Sequence, residues 1–203
     1  MRWFSASPPA EAAPPDHRSL AFPRFLDALR SVPRPRVLDL GPPIAGNITF
    51  LSGLSCRVRI ADLHRSLTAE PLEGRRPQAM SALFERLLPF TPDERIDGLL
   101  AWDVFDYLRP DQISSLMARL TPACRPEGLA LVLVSTRHQI PAAPTRYRIL
   151  DRDHVAGESR LERMRPSPRY TQADLARMAP GLSVQRSFLL RSGIQEYLLV
   201  RTP

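Results

Sequence analysis

The apolar positions of this chain fall in short runs that switch between two periods. Phe22, Phe25, Leu26 and Leu29 recur at i, i+3, i+4 and i+7, which predicts one helical face over about residues 19–32. Pro23 is tolerated in a first turn, and Pro33 and Pro35 end the helix. Residues 36–40 read as a short buried strand. Ile48, Leu51 and Leu54 predict a short helix over 47–54, and 57–61 a second strand. Met80, Leu83, Phe84, Leu87 and Leu88 return to helical spacing, a pattern that also leaves room for a short strand near its end. Residues 96–102 form a buried strand. Ile113, Leu116, Met117 and Leu120 stripe a helix capped by Asp111, and 129–135 is a fully buried strand. No strong period runs through 137–170. Thr171 and Asp174 resemble a capping box opening a short helix that Gly181 stops, and the chain closes on a hairpin of 182–190 and 194–200 around Arg191-Ser192-Gly193.

Strands alternating with helices imply a doubly wound, mostly parallel α/β sheet with an antiparallel edge. A single domain over 18–203 is expected behind a flexible Pro/Ala-rich arm, residues 1–17. Ligands of such sheets sit beyond the carboxyl ends of the strands, where strand order reverses. The turns at 41–46, 62–64 and 103–107 are therefore expected to converge.

One of those turns carries chemistry. Val37-Leu38-Asp39-Leu40-Gly41 is a strand that ends in an acid and a glycine, and Asp62 ends the next strand 21 positions after Gly41. A strand, a glycine turn, a helix and an acid about 20 residues on form a nucleoside-binding arrangement: the turn lets backbone approach the ligand, and the acid accepts from ribose hydroxyls. Pro42 and Pro43 remove two potential backbone donors from the turn, leaving Gly46 as its other glycine. Asp39 is suited either to its own turn's backbone or to a ligand's amino group. Asn47 is suited to capping its helix or to anchoring a carboxylate there. Trp102 either fills the core or flanks a base or a cation. Asp103 is either a solvent-facing loop acid or one that faces the reacting groups. Asp106 and Tyr107 read first as loop caps, and Gln195-Glu196-Tyr197 as structural.

Composition narrows the alternatives. The formal charge is +7, and all 28 basic residues are arginine. Arginine and alanine without lysine point first to a GC-rich, bacterial-like coding bias. Residues 137–170 hold eight arginines against four acids, which leaves nucleic-acid binding open as a minor reading. No apolar run reaches the roughly 18 residues of a membrane helix, and the first residues lack a secretory apolar core, so a cytoplasmic protein without a membrane partner is expected. Cys56 and Cys124 read as free thiols. The four histidines are scattered, so no metal site is expected. There is neither a Gly-x-Ser-x-Gly elbow nor a Gly-Lys-Ser/Thr phosphate loop.

The order of these motifs resembles the class I S-adenosylmethionine-dependent methyltransferases over about residues 20–203. Val37-Leu38-Asp39-Leu40-Gly41 is similar to that family's opening motif, and Asp62 to its ribose acid. Residues 88–99, Leu-Pro-Phe through Ile-Asp-Gly-Leu, are similar to its Leu-Pro-Phe…Phe-Asp-x-Val segment, and Arg125-Pro126-Glu127-Gly128 to its Arg-Pro-Gly-Gly turn. Phe84 stands where the family often has an acid for the adenine amine. The resemblance implies a seven-stranded sheet with S-adenosylmethionine as cofactor. It implies cofactor contacts from Asp39, Gly41, Gly46, Asn47, Asp62, Leu63, Trp102 and Asp103. Acceptor contacts would come from Tyr107, Arg137, Tyr147 and Tyr170. No catalytic residue is singled out, because methyl transfer needs positioning more than a dedicated base. The expected activity is methyl transfer to a small-molecule acceptor. The alternatives are an RNA methyltransferase using 137–170 and a non-catalytic binding or scaffold protein that keeps the fold. Oligomeric state is left open.

Overall fold

A computed structural model describes residues 16–159 and 163–202. The chain begins with β1 (Asp16–Arg18), α1 (Phe22–Arg30), β2 (Arg36–Asp39), α2 (Ala45–Gly53), β3 (Arg57–Ile60), α3 (Leu63–Ala69), α4 (Pro77–Leu87) and β4 (Ile96–Trp102). A short 3-10 turn (Val104–Tyr107) leads to α5 (Pro110–Leu120) and β5 (Cys124–Ser135). The short strands β6 (Gln139–Pro141), β7 (Arg146–Ile149), β8 (His154–Glu158) and β9 (Met164–Pro166) follow, then α6 (Gln172–Met178), β10 (Leu182–Leu189) and β11 (Ile194–Arg201).

The main sheet runs β10-β11-β5-β4-β2-β3. Its β5, β4, β2 and β3 are parallel, while β11 and β10 are antiparallel to their neighbours. β2 lies between β3 and β4, so strand order reverses there, and the turns after β2 and β4 face one another. Two apolar layers cover the sheet. On one side, Phe84, Leu116 and Leu175 bring α4, α5 and α6 onto it. On the other, Phe22, Phe25, Leu26 and Leu51 of α1 and α2 join Tyr147 and Ile149 of β7. β7 belongs to a small antiparallel sheet ordered β1-β8-β7.

Several expectations change. The main sheet has six strands where the resemblance implies seven. After α3 the chain passes through Glu-Pro-Leu-Glu-Gly-Arg-Arg directly into α4, and that stretch has neither alternation nor β-branched residues to support an edge strand. The 62–64 turn opens α3, which its Leu-His-Arg-Ser-Leu pattern is too short to announce. Residues 137–170 hold four strands, each too short to show a period. Asp111 is not the cap of α5: Arg109 occupies that position, its N–H donates to Gln112 Oε1 at 2.9 Å, and Asp111 sits in the first turn. Of the expected arm, 1–15 lie outside the described residues, and Asp16 and His17 belong to β1 rather than to an arm. The Thr171–Asp174 capping box is present, with both reciprocal bonds made. Cys56 and Cys124 are buried free thiols.

Gly98 shows how tightly α1 lies on the sheet. A Cβ there would meet Phe25 Cζ at 2.6 Å and Leu29 Cδ2 at 3.0 Å. Gly98→Ala is expected to cost about 1–3 kcal/mol by overpacking. It would be read as a melting temperature lower by roughly 2–4 °C per kcal/mol, and an unchanged melting temperature would contradict this packing.

Candidate nucleoside site

The chain bends hard at the carboxyl ends of β3 and β4. Asp62 and Trp102 have φ of 41° and 49°, a region that non-glycine residues enter at a cost of about 1–3 kcal/mol. Among the described residues only six non-glycine residues have positive φ, and two of them flank this edge. The Trp102 turn aims its indole at β2. Trp102 Nε1 donates to Asp39 Oδ1 at 2.7 Å, and the Gly41 N–H donates to the same oxygen at 2.8 Å. A Cβ on Gly41 would lie 3.0 Å from both Asp39 Oδ1 and Trp102 Cδ1, so a larger residue would have to push that pair aside by a few tenths of an ångström. Of the two roles open to Asp39, the structure fills the first, binding its own turn, with one oxygen. The other, Oδ2, is buried without a partner.

Tyr147 of β7 roofs this corner. Its ring stacks on Trp102, with centroids 5.3 Å apart and planes 11° apart. Asn47 latches the roof: its Nδ2 donates to Tyr147 O at 2.8 Å, and its Oδ1 accepts from the Ile149 N–H at 2.8 Å. Asn47 is thus neither a helix cap nor a free anchor. α2 begins at Ala45, and Asn47 spends its side chain across the fold. The space above Gly46 is open.

Next to this corner lie two more buried acids. Asp103 Oδ2 accepts from the Thr145 N–H at 3.0 Å, and Asp106 Oδ2 from the Ser135 N–H at 2.8 Å. Asp103 Oδ1 and Asp106 Oδ1 have no partner. Burial pushes all three carboxyls up, Asp39 to about 6, Asp103 to about 7 and Asp106 to about 8. The N–H donors pull the other way, and Asp103 adds repulsion at Asp106. A positive charge placed beside them would favour their ionised forms.

Asp62 is different. It is half-buried, its backbone opens α3 by accepting from the Ser66 N–H, and its carboxylate has no hydrogen-bond partner among the described residues. Leu63 beside it is buried core. Two residues on from Asp62, His64 borders a cleft of about 160 Å³ bounded also by Leu67, Val104, Tyr107, Ala142 and Arg165, and Asp62 itself is not in its lining. The Arg165 guanidinium covers the Tyr107 ring, 5.5 Å from its centroid. The Tyr107 hydroxyl lies 2.9 Å from Ala143 O and 3.1 Å from Pro141 O and donates its one proton between them, tying the cleft wall to residues 141–143. This is smaller than the roughly 300–1,000 Å³ of pockets that take drug-sized ligands.

The sequence expectations therefore divide. Asp39, Gly41, Trp102, Asp103 and Tyr147 come together, Tyr107 lines the cleft while Asp62 lies outside its lining, and Gly46 faces open space. Arg137 and Tyr170 are not part of the cleft. Arg137 Nε donates to Ser192 O on the terminal turn, and Tyr170 OH to Leu108 O. Among the described arginines of 137–170, Arg152 pairs with Asp27, Arg148 with Glu158, and Arg165 lies on Tyr107. Gln112 lines the cleft without having been expected there, and His64 only as part of the 62–64 turn. Their only sequence signal was adjacency to Asp62 and to the α5 start. Glu196 is structural, as expected: fully buried, it accepts from the Leu20 and Ala21 N–H groups at the start of α1. Asp151, exposed, and Asp153 and His154, half-buried, form a group whose atoms lie close enough to share a cation. They already bond one another and the local backbone.

No protein-family model and no curated protein sequence matches the chain. Solved structures match it in three dimensions, at identities that speak to fold alone. The PH0226 protein from Pyrococcus horikoshii OT3 superposes with a TM-score of 0.51 at 12% identity, over 91% of this chain and 92% of that one. A structure from work on the conversion of a disulfide bond into a thioacetal group during echinomycin biosynthesis gives 0.50 at 16%, over 91% and 82%. The 1,6-didemethyltoxoflavin-N1-methyltransferase of Burkholderia thailandensis, with bound 1,6-didemethyltoxoflavin and S-adenosylhomocysteine, gives 0.49 at 18%, over 91% and 80%. With the first two of these structures the chain shares an α/β fold, here a mixed six-stranded sheet with six α-helices among the described residues. No helix among the described residues is long and apolar enough to cross a membrane.

Proposed function

We propose that the protein binds S-adenosylmethionine at the carboxyl edge of β2, β3 and β4 and transfers its methyl group to a small-molecule acceptor. The observation that supports this most is the set of acids left unsatisfied at that edge. Asp62 offers a free carboxylate for ribose hydroxyls. Asp39, Asp103 and Asp106 each keep one buried oxygen without a donor, in a chain whose net charge is +7. A ligand with an ammonium and a sulfonium would supply the missing positive charge. When bound, the cofactor supplies an activated methyl group on a positively charged sulfur. The protein's part is to hold the ribose, neutralise the charge and exclude water, and the narrow cleft beside Tyr107 suits a small acceptor better than a polymer. The Tyr147 roof must lift off Trp102 for the methionine end to enter.

A second reading is favoured by that same roof. Tyr147 on Trp102, the Asn47 latch and the donor-free Pro42-Pro43 turn also describe a fold whose cofactor cradle is permanently filled, and such a protein would bind partners without catalysis. Calorimetry separates the two. Binding of S-adenosylmethionine at micromolar to low millimolar affinity, weakened about tenfold or more by Asp62→Ala, supports the enzyme. That factor corresponds to one lost charge-assisted bond of about 1.5–3 kcal/mol. Absence of binding at millimolar ligand leaves the non-catalytic reading, and binding unaffected by Asp62→Ala removes Asp62 from the site.

A further inference from the structure

At the opposite end of the sheet the strands begin in arginine. Arg36 opens β2, Arg57 opens β3, Arg95 precedes β4 and Arg125 follows the first residue of β5. Together with Arg34 in the α1–β2 turn they surround a cleft of about 350 Å³, twice the size of the one at the carboxyl edge and within the range of ligand sites. We propose that this amino-end cleft binds a phosphate-bearing ligand. The proposal is independent of the cofactor reading.

The charge there is not compensated by the protein. Asp97 is buried: Oδ2 accepts from the Arg36 N–H at 2.8 Å, and Oδ1 forms an ion pair with Arg125, 3.1 Å from its Nε, without a hydrogen bond. It offsets Arg125 and no other guanidinium. Arg95 Nη1 donates to the Pro92 and Glu94 carbonyls, which position it without neutralising it. The side chains of Arg34, Arg36 and Arg57 have neither an ion pair nor a hydrogen bond among the described residues. Asp93 is the one other carboxylate in the lining.

The placement is also unfavourable without a ligand. Arg36 and Arg57 are direct register partners on adjacent parallel strands, so two like charges share one rung. Such a pair is destabilising by itself. Arg34 adds backbone strain, with φ of 52°, where glycine would escape the Cβ penalty. Solvated arginines on a surface need neither arrangement. An anion bridging the Arg36 and Arg57 guanidiniums reverses the sign of the rung energy. Guanidinium forks match phosphate oxygens in geometry. The lining is polar apart from Pro33, so it suits the phosphate itself more than an apolar body attached to it.

The test uses the full chain. Inorganic pyrophosphate and a short single-stranded RNA are titrated separately by calorimetry, against the Arg36→Gln/Arg57→Gln double variant. An Arg186→Gln/Arg191→Gln variant on the terminal hairpin keeps the net charge equal. The expected result is pyrophosphate binding that rises with falling salt, weakens at least tenfold in the Arg36/Arg57 variant and persists in the hairpin variant. Tighter RNA binding with the same dependence on Arg36 and Arg57 identifies a polymer as the source of the phosphate; pyrophosphate binding without RNA binding identifies a small molecule. No binding of either probe at millimolar concentration, or equal weakening in both variants, overturns the site. Both variants alter exposed or half-buried side chains, and their circular dichroism should match the parent's.

Discussion

Asn47→Ala is expected to destabilise the fold by about 2–5 kcal/mol, more than an ordinary polar-to-alanine change. Asn47 is 2% exposed and bridges two elements 100 residues apart in sequence. Removing its amide leaves the Tyr147 carbonyl and the Ile149 N–H buried without partners, at about 1–3 kcal/mol each. For a chain of this length the melting temperature should drop by roughly 5–15 °C. The β7 strand should loosen with it, and the loss of the Trp102–Tyr147 stack should weaken the near-ultraviolet circular dichroism. Asn47→Asp gives a sharper check. An ionised aspartate can still accept from Ile149 but faces the Tyr147 carbonyl with a second acceptor. A protonated one restores the donor. The variant should therefore regain stability as pH falls, where Asn47→Ala does not. Equal melting temperatures for parent and Asn47→Ala would mean that the amide does not hold the roof. The same variant bears on function. If binding at the carboxyl edge requires an open roof, the apparent affinity is reduced by the open fraction, and unlatching raises it. S-adenosylmethionine should then bind Asn47→Ala more tightly than the parent, despite its lower stability.

The sheet was legible because its central strands are nearly continuous apolar runs. Residues 96–102 and 129–135 are buried along almost their whole length, a pattern no exposed segment shows. Edges were harder. β5 begins at Cys124, five residues before its apolar run, because Cys124 pairs with Ile96 before the register shifts past Asp97. The Arg-Pro-Glu-Gly turn chemistry hides that extended start. The small strands β6 to β9 carry three to five residues each, too few for a two-residue period to rise above composition. The site was half legible for a related reason. Asp39, Gly41, Asp62 and Trp102 are fixed by strand ends and follow from the strand assignments. Asn47's reach to β7 and Tyr147's stacking depend on a long-range placement of a segment with no local signal. Arg137 and Tyr170 were assigned by fold resemblance, and the structure gives both to neighbouring backbone carbonyls.

Stability is expected to fall as pH rises from about 4 to about 8, the reverse of the usual behaviour of carboxylates. Asp39, Asp103 and Asp106 have folded values above their unfolded ones, so their contribution is fully present below about pH 4 and is lost as pH passes through about 6, 7 and 8. For Asp39 the step from 3.8 to about 6 corresponds to about 3 kcal/mol. Asp103 and Asp106 share one field, so their effects combine without adding. His17 works in the opposite sense: burial lowers its pKa, and its contribution is lost as pH falls below about 6.5. Burial lowers His64 in the same way as His17, and three aspartates, shifted further, against two histidines set the sign between about pH 5 and 8. Asp106→Asn keeps an acceptor for the Ser135 N–H and removes the titration. It should be more stable than the parent at about pH 8 and no better at about pH 4, as read from denaturant unfolding at the two values. A parent profile flat across this range, or a variant gain independent of pH, would show that these acids are ionised in the folded protein. A cationic ligand should reverse the trend, because a positive charge beside Asp103 and Asp106 favours their ionised forms. Binding of S-adenosylmethionine near neutral pH should then release protons. Its calorimetric enthalpy would change between buffers of different ionisation heat, and Asp106→Asn should reduce that difference.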